Sequence, residues 1–141
     1  MVGTKLFLLD TNIITYIVNG KSAAARKSYL TGEHVQRFAI SAIVEAEIRF
    51  GLAKSRKATE AQTFMTEFLE RTESVPWDTA AAKAYGFLRA ETESQGIAFG
   101  ALDLQIAAHA ISLGATLVTH DRALQRAAPF CQVVDWATDV Q

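Results

Sequence analysis

An α/β fold, with a largely parallel sheet and helices on both of its faces, follows from three features of this sequence. Its candidate strands are short continuous apolar runs rather than alternating ones, the pattern of strands covered on both sides. Capped helical segments separate them, so successive strands need crossover connections. At 141 residues, half of them hydrophobic, the chain can also enclose a core of the size such a sheet requires.

Lys5-Leu6-Phe7-Leu8-Leu9 is the first strand, with Asp10 at its carboxyl end. Thr11 to Asn19 carries Ile13, Ile14, Ile17 and Val18 at helical spacing and closes on Asn19-Gly20. Ser22 to Leu30 forms a second short helix before Thr31-Gly32. Arg37 to Ile40 is the second strand, and Ser41 is placed to cap a helix from Ala42 to about Lys54. Between Thr59 and Thr72 the apolar residues Ala61, Phe64, Met65, Phe68 and Leu69 mark an amphipathic helix. Ser74 to Trp77 forms a turn or short edge strand, because Pro76 cannot donate into a central ladder. Asp78 caps a long helix to about Glu93, ended by Gln95-Gly96. A helix from Ala101 to Leu113 stops at Gly114, and Thr116 to Thr119 is the third strand. A helix from Arg122 to Ala127 and a fourth strand at Val133-Val134 complete the chain. With no repeat, linker or low-complexity stretch, residues 1–141 are expected to form a single domain.

The formal net charge of −1 excludes a polycation that binds nucleic acid over its whole surface, so any such contact must be local. The single Cys131 cannot form an internal disulfide and is expected as a buried or semi-buried thiol in a reducing compartment. The apolar run Leu6 to Leu9 is too short for a signal-peptide core or a membrane span, which predicts a cytoplasmic protein without a membrane partner.

Four acids carry the chemistry. Asp10 lies at the sheet rim beside a helix start, where it can cap the helix; Thr11 and Asn12 next to it can orient a carboxylate or a metal-bound water. Glu45 and Glu47 stand ~200° apart on their helix. Glu45 aligns with Arg49 in an ordinary exposed pair. Glu47 shares its side with Val44, Ile48 and Gly51, and a carboxylate there needs a partner, either a metal or a buried arginine. Asp103 opens the helix bearing Ile106, Ala107, Ala110 and Ile111, where the helix dipole alone favours an acid; Gly96 and Gly100 give its approach a bendable loop. Asp121 ends the corner Leu117-Val118-Thr119-His120-Asp121 and can cap the following helix. Thr119 offers a hydroxyl to phosphate or water, and His120 is expected as a solvated loop histidine. His109 is ~240° around its helix from Asp103 and does not share its face.

Ligands of open α/β sheets bind outside the carboxyl ends of the strands, where Asp10 and the Thr119–Asp121 corner both fall. Acids concentrated there need cations or raised pKa values, and oxygen donors suit Mg²⁺ or Mn²⁺. Metal-assisted phosphodiester hydrolysis needs such a site and no nucleophilic side chain. Lys54, Arg56 and Lys57, with Lys21, Arg26 and Lys27, offer a local basic rim for an RNA backbone. Apolar residues on the first two helices and from Phe64 to Leu69 are candidates for a partner surface. An aspartyl-phosphate phosphatase would also place an Asp after its first strand, but it wants a second acid where this chain has Asn12. A catalytically silent interaction module would not need all four acids.

The segments Leu8-Leu9-Asp10-Thr11-Asn12, Ile40-Ser41 through Glu47-Ile48-Arg49-Phe50-Gly51, Gly100-Ala101-Leu102-Asp103 with Ala107 and Ala108, and Leu117 to Asp121 resemble the four acidic motifs of PIN-domain nucleases. With its length and its Val134-Asp135-Trp136 tail, the chain is most similar to the VapC toxins of type II toxin–antitoxin modules, including the branch that cuts initiator tRNA in its anticodon loop. The resemblance implies a three-layer α/β/α sandwich around a sheet of about four to five strands. It also implies Mg²⁺ or Mn²⁺ held by Asp10, Glu47, Asp103 and Asp121, with Thr119 as the polar residue beside the fourth acid, and endonucleolytic cleavage of RNA. A homodimer and a VapB-type antitoxin that alone contacts DNA complete what it implies.

Overall fold

A computed structural model describes residues 5–55 and 59–141. Its strands are β1 (Leu6–Leu9), β2 (Arg37–Ser41), β3 (Glu73–Val75), β4 (Thr116–Val118) and β5 (Val133–Val134). They form one sheet in the order β3-β2-β1-β4-β5, with every neighbouring pair parallel. The helices are α1 (Thr11–Asn19), α2 (Ala23–Gly32), α3 (Ala42–Lys54), α4 (Glu60–Arg71), α5 (Thr79–Ser94), α6 (Ala101–Leu113) and α7 (Arg122–Gln125). This is the expected α/β sandwich around a parallel sheet.

Local chemistry explains the boundaries. Asp10, Ser22, Ser41, Thr59, Asp78 and Asp121 each accept a backbone N–H at a helix start. Gly20 and Gly114 close α1 and α6 in the left-handed conformation that glycine adopts without a Cβ clash. Helix α2 continues through Gly32 instead of stopping before it, and that glycine is a matter of space. A Cβ there would stand 2.6 Å from the Phe38 ring. Strand β3 ends at Val75, before Pro76, and sits at the sheet edge as proline chemistry requires. Helix α7 is shorter than expected, its last turn tightening as the Ala127 N–H bonds the Leu124 carbonyl.

Burial is concentrated on the central strands and on α1, α3 and α6: Leu8, Leu9, Ile13, Val44, Ala107 and Leu117 have no exposed surface. Removing each large aliphatic side chain from water stabilises the fold by roughly 1.5–3 kcal/mol. The tail packs Trp136 against Phe7 and Phe38 and bonds Asp139 to the Ser22 hydroxyl. Cys131 is half-buried, as expected. No described helix is long and apolar enough to cross a membrane.

Because β1 is flanked by β2 on one side and β4 on the other, the chain reverses its direction of growth between β1 and β4. The crevice outside the carboxyl ends of those two strands is where such a sheet binds ligands. Leu9 is in register with Val118, so Asp10 and Thr119 emerge side by side.

Candidate metal centre

Asp10 is the best-held of the four acids. Its backbone N–H bonds the Val118 carbonyl at 3.1 Å, its Oδ1 accepts the Ile13 N–H at 2.9 Å, and its Oδ2 accepts the Thr119 hydroxyl. Only 4% of the residue is exposed. Burial drives its pKa up to about 6 against the lowering by the Thr119 and Ile13 donors, and the charges of Asp121 and Asp103 push the same way as burial. The capping role and the rim position are both real.

Thr119 is fully buried, which corrects the expectation that its hydroxyl is offered to phosphate or water. The hydroxyl donates to Asp10 and accepts the Asp121 N–H at 3.0 Å, so it ties two acids together. Asp121 in turn accepts the Ala123 N–H at 2.8 Å and is partly buried.

The other two acids come from helices. Glu47 is half-buried on α3 and accepts the Thr11 hydroxyl at 3.3 Å. Burial raises its pKa, the Thr11 bond lowers it, and the Asp103 charge raises it. Asp103 sits in the first turn of α6, whose N-cap Gly100 supplies no side-chain bond. Burial again raises its pKa, followed by the Asp121 charge, while Arg126 lowers it. All four acids are thus linked by charge across one crevice, whereas Asn12 is exposed on the first turn of α1. A cavity of about 270 Å³ between α1, α3 and α4 opens beside Glu47, lined also by Thr11, Thr15 and Met65.

Glu45 pairs with Arg49 as expected, but it is only partly exposed: it accepts from Arg49 at 2.6 Å and from Ser74 at 2.5 Å. Lys54 is exposed at the end of α3, seven residues and so ~20° from the face of Glu47. Arg56 and Lys57 lie outside the described residues. His120 is not the solvated loop residue expected from the sequence. Its Nδ1 lies 2.8 Å from Asp135, and its ring packs edge-on to Tyr16 at 5.7 Å. Parallel pairing of β4 and β5 brings their rim loops together, a contact no local pattern announces. Arg126 was missed as well: it stands near enough to Asp103 to lower its pKa and lies over the Phe99 ring at 5.6 Å. The only sequence signal for it was its place one turn beyond Asp121.

Among the described residues, no three His, Cys, Asp or Glu side chains form a finished metal cage. The donor set nonetheless fits a hard divalent ion, because Mg²⁺ keeps several waters and uses one or two carboxylates rather than an all-protein cage. Desolvated carboxylates that raise one another's pKa are the electrostatic counterpart of such a site.

The family described as the PIN domain matches residues 7–129, a span that contains all four acids. The chain belongs to the PIN-domain family. Its relatives include Ribonuclease VapC2 of Rickettsia felis, 37% identical over 116 residues that cover 82% of this chain and 87% of the relative. The tRNA(fMet)-specific endonuclease VapC of Salmonella typhimurium is 31% identical over 130 residues, covering 92% and 97%. Among solved structures, VapBC2 from Rickettsia felis bound to a DNA fragment from its promoter superposes with a TM-score of 0.83 at 34% identity, covering 93% of this chain and 98% of that one. DNA-bound VapBC from Salmonella typhimurium gives 0.82 at 30% identity, covering 95% and 99%. Asp135, which holds His120, lies beyond the matched PIN-domain span.

Proposed function

We propose that this PIN domain is the ribonuclease toxin of a type II toxin–antitoxin module, cutting RNA with Mg²⁺ or Mn²⁺ held by Asp10, Glu47, Asp103 and Asp121. The observation that carries the reading is Asp10: a carboxylate almost wholly buried at the switch point of the sheet, fixed by two donors and facing two further acids by charge. Relatives named VapC ribonucleases, one of them 37% identical, support it.

When bound, the ion neutralises phosphoryl oxygens and lowers the pKa of an attacking water. The chain's own residues prepare that event. Asp10 presents a fixed oxygen, because Thr119 and the Ile13 N–H leave its carboxylate one orientation. Thr11 steers Glu47 toward the same crevice. Asn12, exposed on the same turn, supplies a polar group for water. Arg126 and Lys54 supply positive charge for the RNA backbone on either side of the acids, and we extend that rim to Arg56 and Lys57. No single carboxylate is assigned as general base, because neighbours whose charges interact release their protons as a set.

Transfer RNA, cut in its anticodon loop, is the substrate this reading favours, since relatives over most of the chain are named tRNA(fMet)-specific. Residues 1–141 act as one nuclease domain in the cytoplasm. A VapB-type antitoxin docks where Ile17, Leu30, Phe64 and Phe68 line a groove of about 320 Å³ edged by Arg26 and Arg71, and contact with DNA is made through that partner. The two structural neighbours described above are themselves VapBC complexes bound to DNA. Exposed Phe50 and Phe87 give a homodimer apolar surface to bury.

The test is cleavage of a pool of defined transfer RNAs by partner-free protein, with Mg²⁺ or Mn²⁺, with chelator, and with Asp10→Asn. Discrete cuts that need both the ion and Asp10 are expected. A folded protein that binds Mn²⁺ yet leaves every RNA intact would overturn the nuclease reading.

A further inference from the structure

Ser41 and His109 are both fully buried, and the His109 Nδ1 lies 2.8 Å from the Ser41 Oγ. Ser41 ends β2 and caps α3, where its Oγ already accepts the Ile43 N–H at 3.1 Å. A serine oxygen can accept twice, but among the described residues the Ser41 hydroxyl has no other acceptor, so its hydrogen points to His109, which makes Nδ1 the acceptor and leaves the ring proton on Nε2. Burial lowers the pKa of His109 and so favours the neutral ring, against the Asp78 charge and the Pro76 backbone, which raise it. Nε2 is buried without a well-formed hydrogen bond, and its polar neighbour is the Pro76 backbone, which raises the His109 pKa against burial. An apolar side chain would avoid burying two ring nitrogens, one of them poorly met, so core packing alone does not account for a histidine here.

The bond has a second consequence, set by position. Glu47 lies six residues after Ser41 on α3, and Asp103 lies six residues before His109 on α6. Helices α3 and α6 pack together, and the Glu47 and Asp103 charges interact. Six residues turn each helix by ~240°, so the acids do not lie on the Ser41–His109 seam itself, and the bond can act on them only through the rigid helices. The Ser41–His109 bond pins α6 to the start of α3, about 9 Å along each helix from the acid it carries.

We propose that the Ser41–His109 hydrogen bond sets the axial register of α6 against α3 and thereby holds Asp103 at the distance from Glu47 that a divalent ion requires. This rests on the metal-centre reading above, and it makes His109 a positioning residue. Its role is specific to one acceptor. Asparagine can place an oxygen near the position of Nδ1, glutamine reaches toward Nε2, and leucine offers neither.

The experiment measures Mn²⁺ affinity by calorimetry for full-length wild type, His109→Leu, His109→Asn and His109→Gln, each with its urea midpoint. Crystal structures of metal-free wild type and one folded variant accompany it. Leu and Gln should weaken Mn²⁺ binding about tenfold or more, with Asn within about threefold of wild type. If Leu does not fold, the Asn–Gln contrast decides. Wild-type affinity in folded His109→Leu or His109→Gln would overturn the proposal, as would an Asn variant no better than Gln. Should wild type itself bind no Mn²⁺, the metal reading falls, and the crystal structures still decide the register: α6 displaced along α3 in His109→Leu or His109→Gln supports it, and an unchanged register refutes it.

Discussion

The two halves of the crevice are built in opposite ways. On the sheet side, Asp10, Thr119 and Asp121 form an unbroken set of hydrogen bonds at the ends of the two central strands. On the helix side, Glu47 has one bond of 3.3 Å, and Asp103 rests in a helix turn without a side-chain cap bond. The sheet half is arranged before any ligand arrives; the helix half keeps room to adjust. The sheet-side acids are held by bonds to backbone N–H groups and to the Thr119 hydroxyl, whereas Glu47 relies on one long side-chain bond. An ion anchored at Asp10 would draw the helix acids in, so binding and ordering become one event on one side only.

The largest expected effect comes from the rigid half. Asp10→Asn should lower metal-dependent RNA cleavage on the order of 10³-fold, since it removes the fixed charge while Asn keeps an oxygen for the Ile13 N–H. The same substitution should stabilise the metal-free fold. Asp10 rises from its ordinary 3.8 to about 6 on folding, so between those values the folded chain holds a proton the unfolded chain has released. Stability therefore falls as pH rises through that window, by at most about 3 kcal/mol, and stays reduced at neutral pH. Glu47 and Asp103 are raised in the same direction, so the variant keeps a shallower slope. Urea melts in chelator at pH 4.5 and 7.5 measure this: Asp10→Asn should exceed wild type at pH 7.5 by about 1–3 kcal/mol and approach it at pH 4.5. Glu45, Glu73 and Asp139 are lowered and tilt the wild-type curve the other way, so the difference between variant and wild type is decisive: one that does not grow with pH would show that Asp10 is not the strained group.

The same contrast decided what the sequence could reveal. The strands and Asp10 were legible because a run such as Leu6–Leu9 ending in an acid is a local signal. Helix starts were legible for the same reason: Ser41, Thr59 and Asp78 announce themselves by residue type. Glu47 was separated from Glu45 by helical geometry alone, and the structure pairs Glu45 with Arg49 and Glu47 with Thr11. What escaped were contacts between distant segments. Thr119 to Asp10, His120 to Asp135 and Ser41 to His109 each join residues that only the sheet order and helix packing bring together, and the same packing puts the Arg126 charge near Asp103. Thr119 was recognised as important and given the wrong task, because spacing shows that a hydroxyl is near the rim but not which way it turns.

Thr119→Val tests how much of the rigidity comes from one hydroxyl. Valine keeps the shape and removes both the donor to Asp10 and the acceptor of the Asp121 N–H. That buried N–H loses its partner, so the fold should lose about 1–3 kcal/mol. The Asp10 pKa should move further upward, and cleavage should fall about 10- to 100-fold, as when a group orienting a metal ligand is lost. Full activity with unchanged stability would mean that the strand ends alone hold Asp10.

Thr11→Val is the matching change on the loose side, and its effect should be the smallest. The bond it removes is long and only partly buried, and Glu47 keeps water as an alternative partner. Stability should change by about 0.5 kcal/mol or less, and cleavage by about two- to fivefold at limiting ion, a loss that added Mn²⁺ recovers. Recovery is the decisive part. Where the helix acids are ordered by the ion, raising its concentration replaces the missing hydroxyl; where the ordering is built in, as at Asp10, it cannot. A Thr11→Val defect as deep as that of Thr119→Val, and equally deaf to Mn²⁺, would mean that the two halves are organised alike.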